Sequence, residues 1–172
     1  MFRPNPKQFA VKELVPKTAI KRFGDNAIYL IDPLVLLSLQ QLRNKFGRMV
    51  ILNDYRQQSS LRTASYYGSD SAYANSYSMH KYGKALDIIP LDTPLDDIHD
   101  FMAKNPDYFP FIHFVEVGML KNGKKISWLH IDTRNQPGMT FWSERDGTLA
   151  VYPQKPINWS AIVPGLEDEE TK

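Results

Sequence analysis

None of the 172 residues is cysteine. That excludes a disulfide scaffold, a thiol nucleophile and any zinc site built on thiolates. A bound metal would have to be held by histidine and carboxylate, and the only four histidines are His80, His99, His113 and His130. Long apolar runs are also missing: nothing approaches the ~18 residues needed to cross a bilayer, so no membrane span is expected. An excess of either charge is missing too: 21 Lys and Arg stand against 19 Asp and Glu, and a net charge of +2 is too mild to point to nucleic acid. The opening segment MFRPNPKQFAVKELVPK has no apolar stretch of the kind a signal peptide carries, so cytoplasmic synthesis without a signal peptide is expected.

What is present is ordinary for a globular chain: 42% hydrophobic and 23% charged residues, enough to bury a core without staples. The charge is segregated at the ends. Residues 1–22 carry Arg3, Lys7, Lys12, Lys17, Lys21 and Arg22 against Glu13, and the C-terminus carries Glu167, Asp168, Glu169 and Glu170 against Lys172. Such ends read either as solvated faces or, for the basic one, as a docking surface for an anionic partner. Three parts are expected: a basic arm over 1–24, a central domain over 25–136, and a C-terminal extension with an acidic tail over 137–172.

Pro4, Pro6 and Pro16 argue for an extended arm at the start. A helix follows from about Pro33 to Phe46, capped by Asp32, opened by Pro33 and ended by Gly47. Residues 48–53 (RMVILN) read as a buried strand and 84–89 (KALDII) as another. Thr93-Pro94 opens a second helix to about Lys104. Two further strands flank a turn at Lys121-Asn122-Gly123-Lys124, where Asn-Gly is a strong hairpin signal. Beyond Arg134 the chain is turn-rich, with a short strand near Thr148–Tyr152. The pattern gives an α+β fold, a small antiparallel sheet with two main helices packed against it. Residues 55–82 stand apart, holding six of the nine tyrosines and seven serines. A long polar and aromatic stretch of this kind either grips a polar ligand or packs its tyrosines on the core.

The chemistry concentrates in two strings. In Ser78-Met79-His80-Lys81-Tyr82-Gly83-Lys84-Ala85-Leu86-Asp87, Gly83 permits a sharp reversal that brings His80 over Asp87, while Ala85 leaves room on the same strand face. In Trp128-Leu129-His130-Ile131-Asp132, His130 sits on a strand that would lie beside the first. Two histidines and one aspartate leave a fourth tetrahedral position open, as in catalytic zinc sites. Histidines satisfied within a strand fit the spacing equally, and the spacing leaves both readings open.

The string Ser78-x-His80-x-x-Gly83-x-Ala85-x-Asp87 resembles the hallmark of the zinc D-alanyl-D-alanine carboxypeptidase and phage endolysin peptidase family, of Hedgehog/DD-peptidase fold. The later string Trp128-Leu129-His130-Ile131-Asp132-Thr133-Arg134, preceded by Val117-Gly118, is similar to the His-x-Asp branch of that family. Asn53-Asp54-Tyr55-Arg56 looks like its Gly-Tyr-Arg segment. The resemblance spans roughly residues 25–136. It implies one Zn2+ per chain, held by His80, Asp87 and His130, with Ser78 supporting the metal-binding loop. It implies that Arg56 contacts the substrate or a developing oxyanion, a task suited to a guanidinium; a plain surface arginine is the alternative. The implied activity is hydrolysis of peptide bonds in bacterial peptidoglycan, with Tyr55, Tyr77 and Tyr82 lining the substrate groove. Other phage proteins are implied as further partners, with neither nucleic acid nor a membrane span. Made in a bacterial host cytoplasm, such a protein reaches the cell wall through holin release or as a virion component. A non-catalytic virion structural or binding module that keeps the metal-site fold is the rival reading.

One departure bears on mechanism. Many members of the family place an acidic residue three positions before the last ligand, or a histidine two before it, as general base. Here those positions are Ser127 and Trp128, neither of which takes a proton from water near neutral pH. Glu116 and Asp132 are the replacements. Asp132 shares a strand face with His130 but is expected to pair with Arg134. Glu116 falls opposite Leu129 if the hairpin loop has two residues, and opposite His130 if the loop is Asn122-Gly123-Lys124. His99 is expected to be a solvated helix residue and His113 a structural one on the strand face opposite Glu116.

Overall fold

The computed structural model describes residues 10–53 and 57–157. The chain folds as α+β, around a sheet of six strands. The strands are β1 (Met49–Val50), β2 (Ala85–Pro90), β3 (Phe114–Glu116), β4 (Leu129–Asp132), β5 (Met139–Ser143) and β6 (Gly147–Tyr152). Their spatial order is β1-β2-β4-β3-β5-β6, antiparallel at each junction except β3–β5, which is parallel.

Alternation along the strands splits the sheet into two unlike faces. One face carries Leu86, Ile88, Leu129, Ile131, Val115 and Phe141, all in the hydrophobic core. Two longer helices bury their apolar stripes in that core: α3 (Pro33–Phe46) through Val35, Leu36, Leu39 and Leu42, and α6 (Leu95–Lys104) through Ile98 and Met102. Phe46 and Phe101 meet edge to face at 5.5 Å, joining the two helices. The opposite face carries Ala85, Asp87, His130, Asp132, Phe114 and Glu116, and it bears the chemistry.

Local sequence accounts for α3. Asp32 Oδ1 accepts from the Leu34 amide at 2.8 Å, Pro33 occupies the first turn, and Gly47 ends the helix at φ 86°. The expectation at α6 is corrected in one respect. Pro94, not Thr93, holds the cap position, and no side chain caps it. Thr93 instead donates through Oγ1 to the Phe46 carbonyl at 2.9 Å, satisfying the end of α3.

Other expectations change as well. The described part of the arm is not extended but forms α1 (Val11–Leu14) and α2 (Lys17–Phe23), broken at Pro16. Proline forbids one continuous helix but not two short ones, and burial of Leu14, Val15 and Ala19 in the common core holds them. The strand expected over 48–53 shortens to β1. The tyrosine-rich stretch contains α4 (Ala64–Tyr67) and α5 (Asp70–Ala74), held by edge-to-face contacts of Tyr67 with Tyr66 and Tyr73. In the region expected to be turn-rich, β5 pairs with β3 and carries Met139 and Phe141 into the same core.

Candidate metal centre

His80 arrives from a 3-10 turn, Met79–Tyr82, closed by Gly83 at φ +65°. Only glycine fits there. A Cβ at Gly83 would stand 2.1 Å from the Leu30 carbonyl oxygen, and the Gly83 carbonyl accepts from the Asp32 amide at 2.9 Å. The reversal lets β2 start at once and places Asp87 beneath His80. Register then brings the third group in: Asp87 pairs with His130 across β2 and β4.

The three side chains converge. His80 Nε2 lies 3.2 Å from Asp87 Oδ1 and 3.4 Å from His130 Nδ1, and His130 Nδ1 lies 2.7 Å from Asp87 Oδ1. One donor atom from each falls within 4.8 Å of the other two. The far atoms are held as well. His80 Nδ1 lies 2.8 Å from the Ser60 carbonyl oxygen. A carbonyl only accepts, so Nδ1 carries the proton and the Nε2 lone pair faces the cluster. His130 Nε2 faces Asp132 Oδ2 at 3.6 Å. Asp132 is fully buried and is gripped by Arg134, whose Nε donates to Oδ1 at 2.8 Å. Imidazoles oriented from behind by a carbonyl and a carboxylate are the usual setting of metal-ligating histidines.

The protonation pattern agrees. Burial lowers the pKa of His80, although Asp87 opposes the shift. Burial would also lower His130, but its two flanking carboxylates, Asp132 and Asp87, prevail and raise it to about 9. For Asp87, burial works upward and is overcome by hydrogen bonds from His130 and His80, leaving it far below the carboxylate range. Asp87 is thus ionised, His80 is neutral, and the additional proton that charges an imidazole resides on His130. A cation held by His80, Asp87 and His130 would take the place of that proton at Nδ1, with Nε2–H left toward Asp132. Two imidazole nitrogens and one carboxylate oxygen, with no thiolate, suit zinc or another divalent first-row ion.

Glu116 stands opposite His130, so Asp87, His130 and Glu116 form one row across β2, β4 and β3. This is the alternative in which Glu116 lies opposite His130, reached by an unexpected route. The hairpin pairs Leu120 with Lys124 and Gly118 with Ile126, so the loop is residues 121–123. Between there and Glu116↔His130, one strand advances two residues and the other four. The surplus bulges at 127–128 and restores the register. Burial, the largest influence, raises the Glu116 pKa.

Other expected residues fall as follows. Tyr55 and Arg56 lie outside the described residues. Ser78 precedes the turn that carries His80; its carbonyl accepts from the Lys81 amide at 3.0 Å, and its side chain makes no cap. Tyr77 is 91% exposed, and Tyr82 is exposed with the Lys81 ammonium 5.4 Å from its ring centre. His113 holds its place through backbone bonds to Asp132 and Thr140. His99 is a correction: it is not solvated but half-buried against Phe141, with Nε2 lacking a hydrogen-bond partner among the described residues and a pKa lowered by burial to about 4.

Sequence reasoning missed Ser60 and Arg62. Ser60 works through its carbonyl, which no side-chain pattern signals. Arg62 donates through Nη2 to Asp87 Oδ2 at 2.7 Å, across 25 residues of chain. A cavity of about 540 Å³ opens elsewhere, lined by residues 90–96 and 125–127. Its carboxylates Asp92 and Asp96 are already paired with Arg48 and Lys125, so the chemistry favours the histidine cluster. Comparisons with protein-family models, with curated proteins and with solved structures find no match.

Proposed function

We propose that this chain is a zinc-dependent peptidase of Hedgehog/DD-peptidase type that cleaves peptides of the bacterial cell wall, phage-encoded and acting as a lysin or virion component. The observation that carries this reading is the convergence of His80 Nε2, Asp87 Oδ1 and His130 Nδ1, with Glu116 in the next place of the same row. Zinc held by these three residues would act as a Lewis acid toward the scissile carbonyl and make water more acidic. Glu116, its pKa raised by burial, accepts the proton of the attacking water and returns it to the leaving amine. Asp132 is committed to Arg134 and His130 and serves to orient the ligand rather than to move protons. The aromatic rings of Phe114 and Trp142, 5.8 Å apart, stand beside the row and give a substrate chain an apolar wall.

The test is digestion of purified peptidoglycan with the zinc-loaded protein, with and without a chelator, reading released peptides by mass spectrometry. Chelator-sensitive release restored by zinc is expected, and His80→Ala abolishes it. Absence of release by the zinc-loaded protein would overturn the reading. One observation favours a second reading, a virion binding module that retains the metal site: exposed Ser127 stands where many members of the resembling family carry an acid. That reading expects the zinc-loaded protein to sediment with cell walls and release nothing.

A further inference from the structure

We propose that Arg62 is a positioning residue of the metal centre, holding Asp87 Oδ2 so that Oδ1 alone is presented alongside His80 and His130. The inference rests on the metal-binding part of the reading above and not on peptidase activity.

Arg62 is fixed at four points. Nη2 donates to Asp87 Oδ2 at 2.7 Å, and Nε donates to the Gln58 carbonyl at 3.2 Å. The guanidinium lies 4.5 Å from the Tyr66 ring centre, and the Arg62 amide donates to the His80 carbonyl at 3.0 Å. The side chains of Arg62 and Asp87 are only 19% and 17% exposed, so the pair is shielded from water. The rest of the segment works to the same end. The Ser59 carbonyl takes the Asp87 amide at 2.6 Å, and the Ser60 carbonyl takes His80 Nδ1 at 2.8 Å. Residues 58–62 therefore form a strap that touches the segments bearing His80 and Asp87, and Arg62 is its one charged contact with a ligand side chain.

The chemical consequence concerns denticity. A carboxylate with both oxygens free can chelate an ion and fill two coordination positions. With Oδ2 occupied by a guanidinium, Asp87 would contribute one oxygen, and positions would remain for water. A planar fork suits this better than an ammonium, because it bonds Asp87 and Gln58 at once.

The test compares wild type, Arg62→Met and Arg62→Lys by zinc competition against a chromophoric chelator and by the visible spectrum of the Co2+-loaded protein. Thermal melting after chelator treatment checks folding. Arg62→Met is expected to bind zinc roughly 10–100-fold more weakly and to shift the Co2+ bands, as Asp87 is released to rotate. Arg62→Lys is expected to recover part of both. Wild-type affinity with an unchanged Co2+ spectrum in folded Arg62→Met overturns the inference and leaves the metal site standing. If Arg62→Met loses its cooperative melt, Arg62→Lys decides: intermediate affinity supports the inference and wild-type affinity overturns it. Failure of the wild type to bind zinc removes the site and the inference together, whereas failure to cleave peptidoglycan removes only the peptidase reading.

Discussion

Glu116 and His130 face each other across the antiparallel pair of β3 and β4, one strand further from Asp87. Side chains directly across such a pair lie about 5 Å apart. A carboxylate there stands next to the cluster without belonging to the His80–Asp87–His130 group. Glu116→Gln is therefore expected to bind zinc as tightly as wild type while turnover on cell-wall peptide falls roughly 10²–10⁴-fold. Chelator competition and product release, measured on the same preparation, check the two halves. Unchanged turnover would falsify the assignment of Glu116 as base.

Asp132 makes a different demand. Buried, and shared between His130 and Arg134, it orients the imidazole from behind. Asp132→Asn keeps the shape and removes the charge, so zinc affinity is expected to drop roughly 10–100-fold. Chelator competition reads this directly; a drop as large as that of His130→Ala would instead mark Asp132 as a ligand.

His99 predicts a pH dependence of stability. Its folded pKa is lowered to about 4, chiefly by burial, against an unfolded value near 6.5. The unfolded chain therefore binds the extra proton between these values. Stability contributed by neutral His99 is fully present above about pH 6.5 and is lost as pH falls toward 4. The loss is on the order of 3 kcal/mol. Asp96, Asp100 and Lys125 bear on the same ring, so the informative quantity is the difference between wild type and His99→Phe. Urea midpoints across pH 4–7 should fall less steeply in the variant, and parallel slopes would refute the assignment.

Gly83 predicts a fold-level lesion at the site. Gly83→Ala sets a methyl against the Leu30 carbonyl and forces an L side chain to φ +65°. Strain of this kind costs about 1–3 kcal/mol before the clash is added. The variant should melt well below wild type and lose zinc affinity, because the turn that fails is the one presenting His80.

The sequence made legible what is local. The Asp32–Pro33 start and Gly47 end of α3, and the His80–Gly83–Asp87 string, each lie within a few residues of chain and obey rules of capping, turn and alternation. What stayed hidden depends on partners remote in sequence. The alternation of Met139, Phe141 and Ser143 marks a strand only once β3 is known to lie beside it, in parallel. His99 reads as solvated between Asp97 and Asp100 until Phe141 covers it. The bulge at 127–128 decides whether Glu116 lies opposite His130, and the Asn122-Gly123 turn does not encode it. Arg62 is one arginine among several until Asp87 is folded against it.

The spacing of the ligands sets an order of events in time. His80 and His130 are 50 residues apart, and Asp87 and His130 are 43 apart. On a ribosome, His80, Asp87 and their strap emerge well before β4, and two donors grip a cation poorly. The third donor arrives only when β4 docks between β2 and β3, which also seals the core beneath it. Ion capture at this cluster would thus be a late event in assembly, reporting that the centre of the sheet has closed. An ion so captured would add its binding energy to the finished state alone. It would slow escape from the native basin while leaving the early search unchanged.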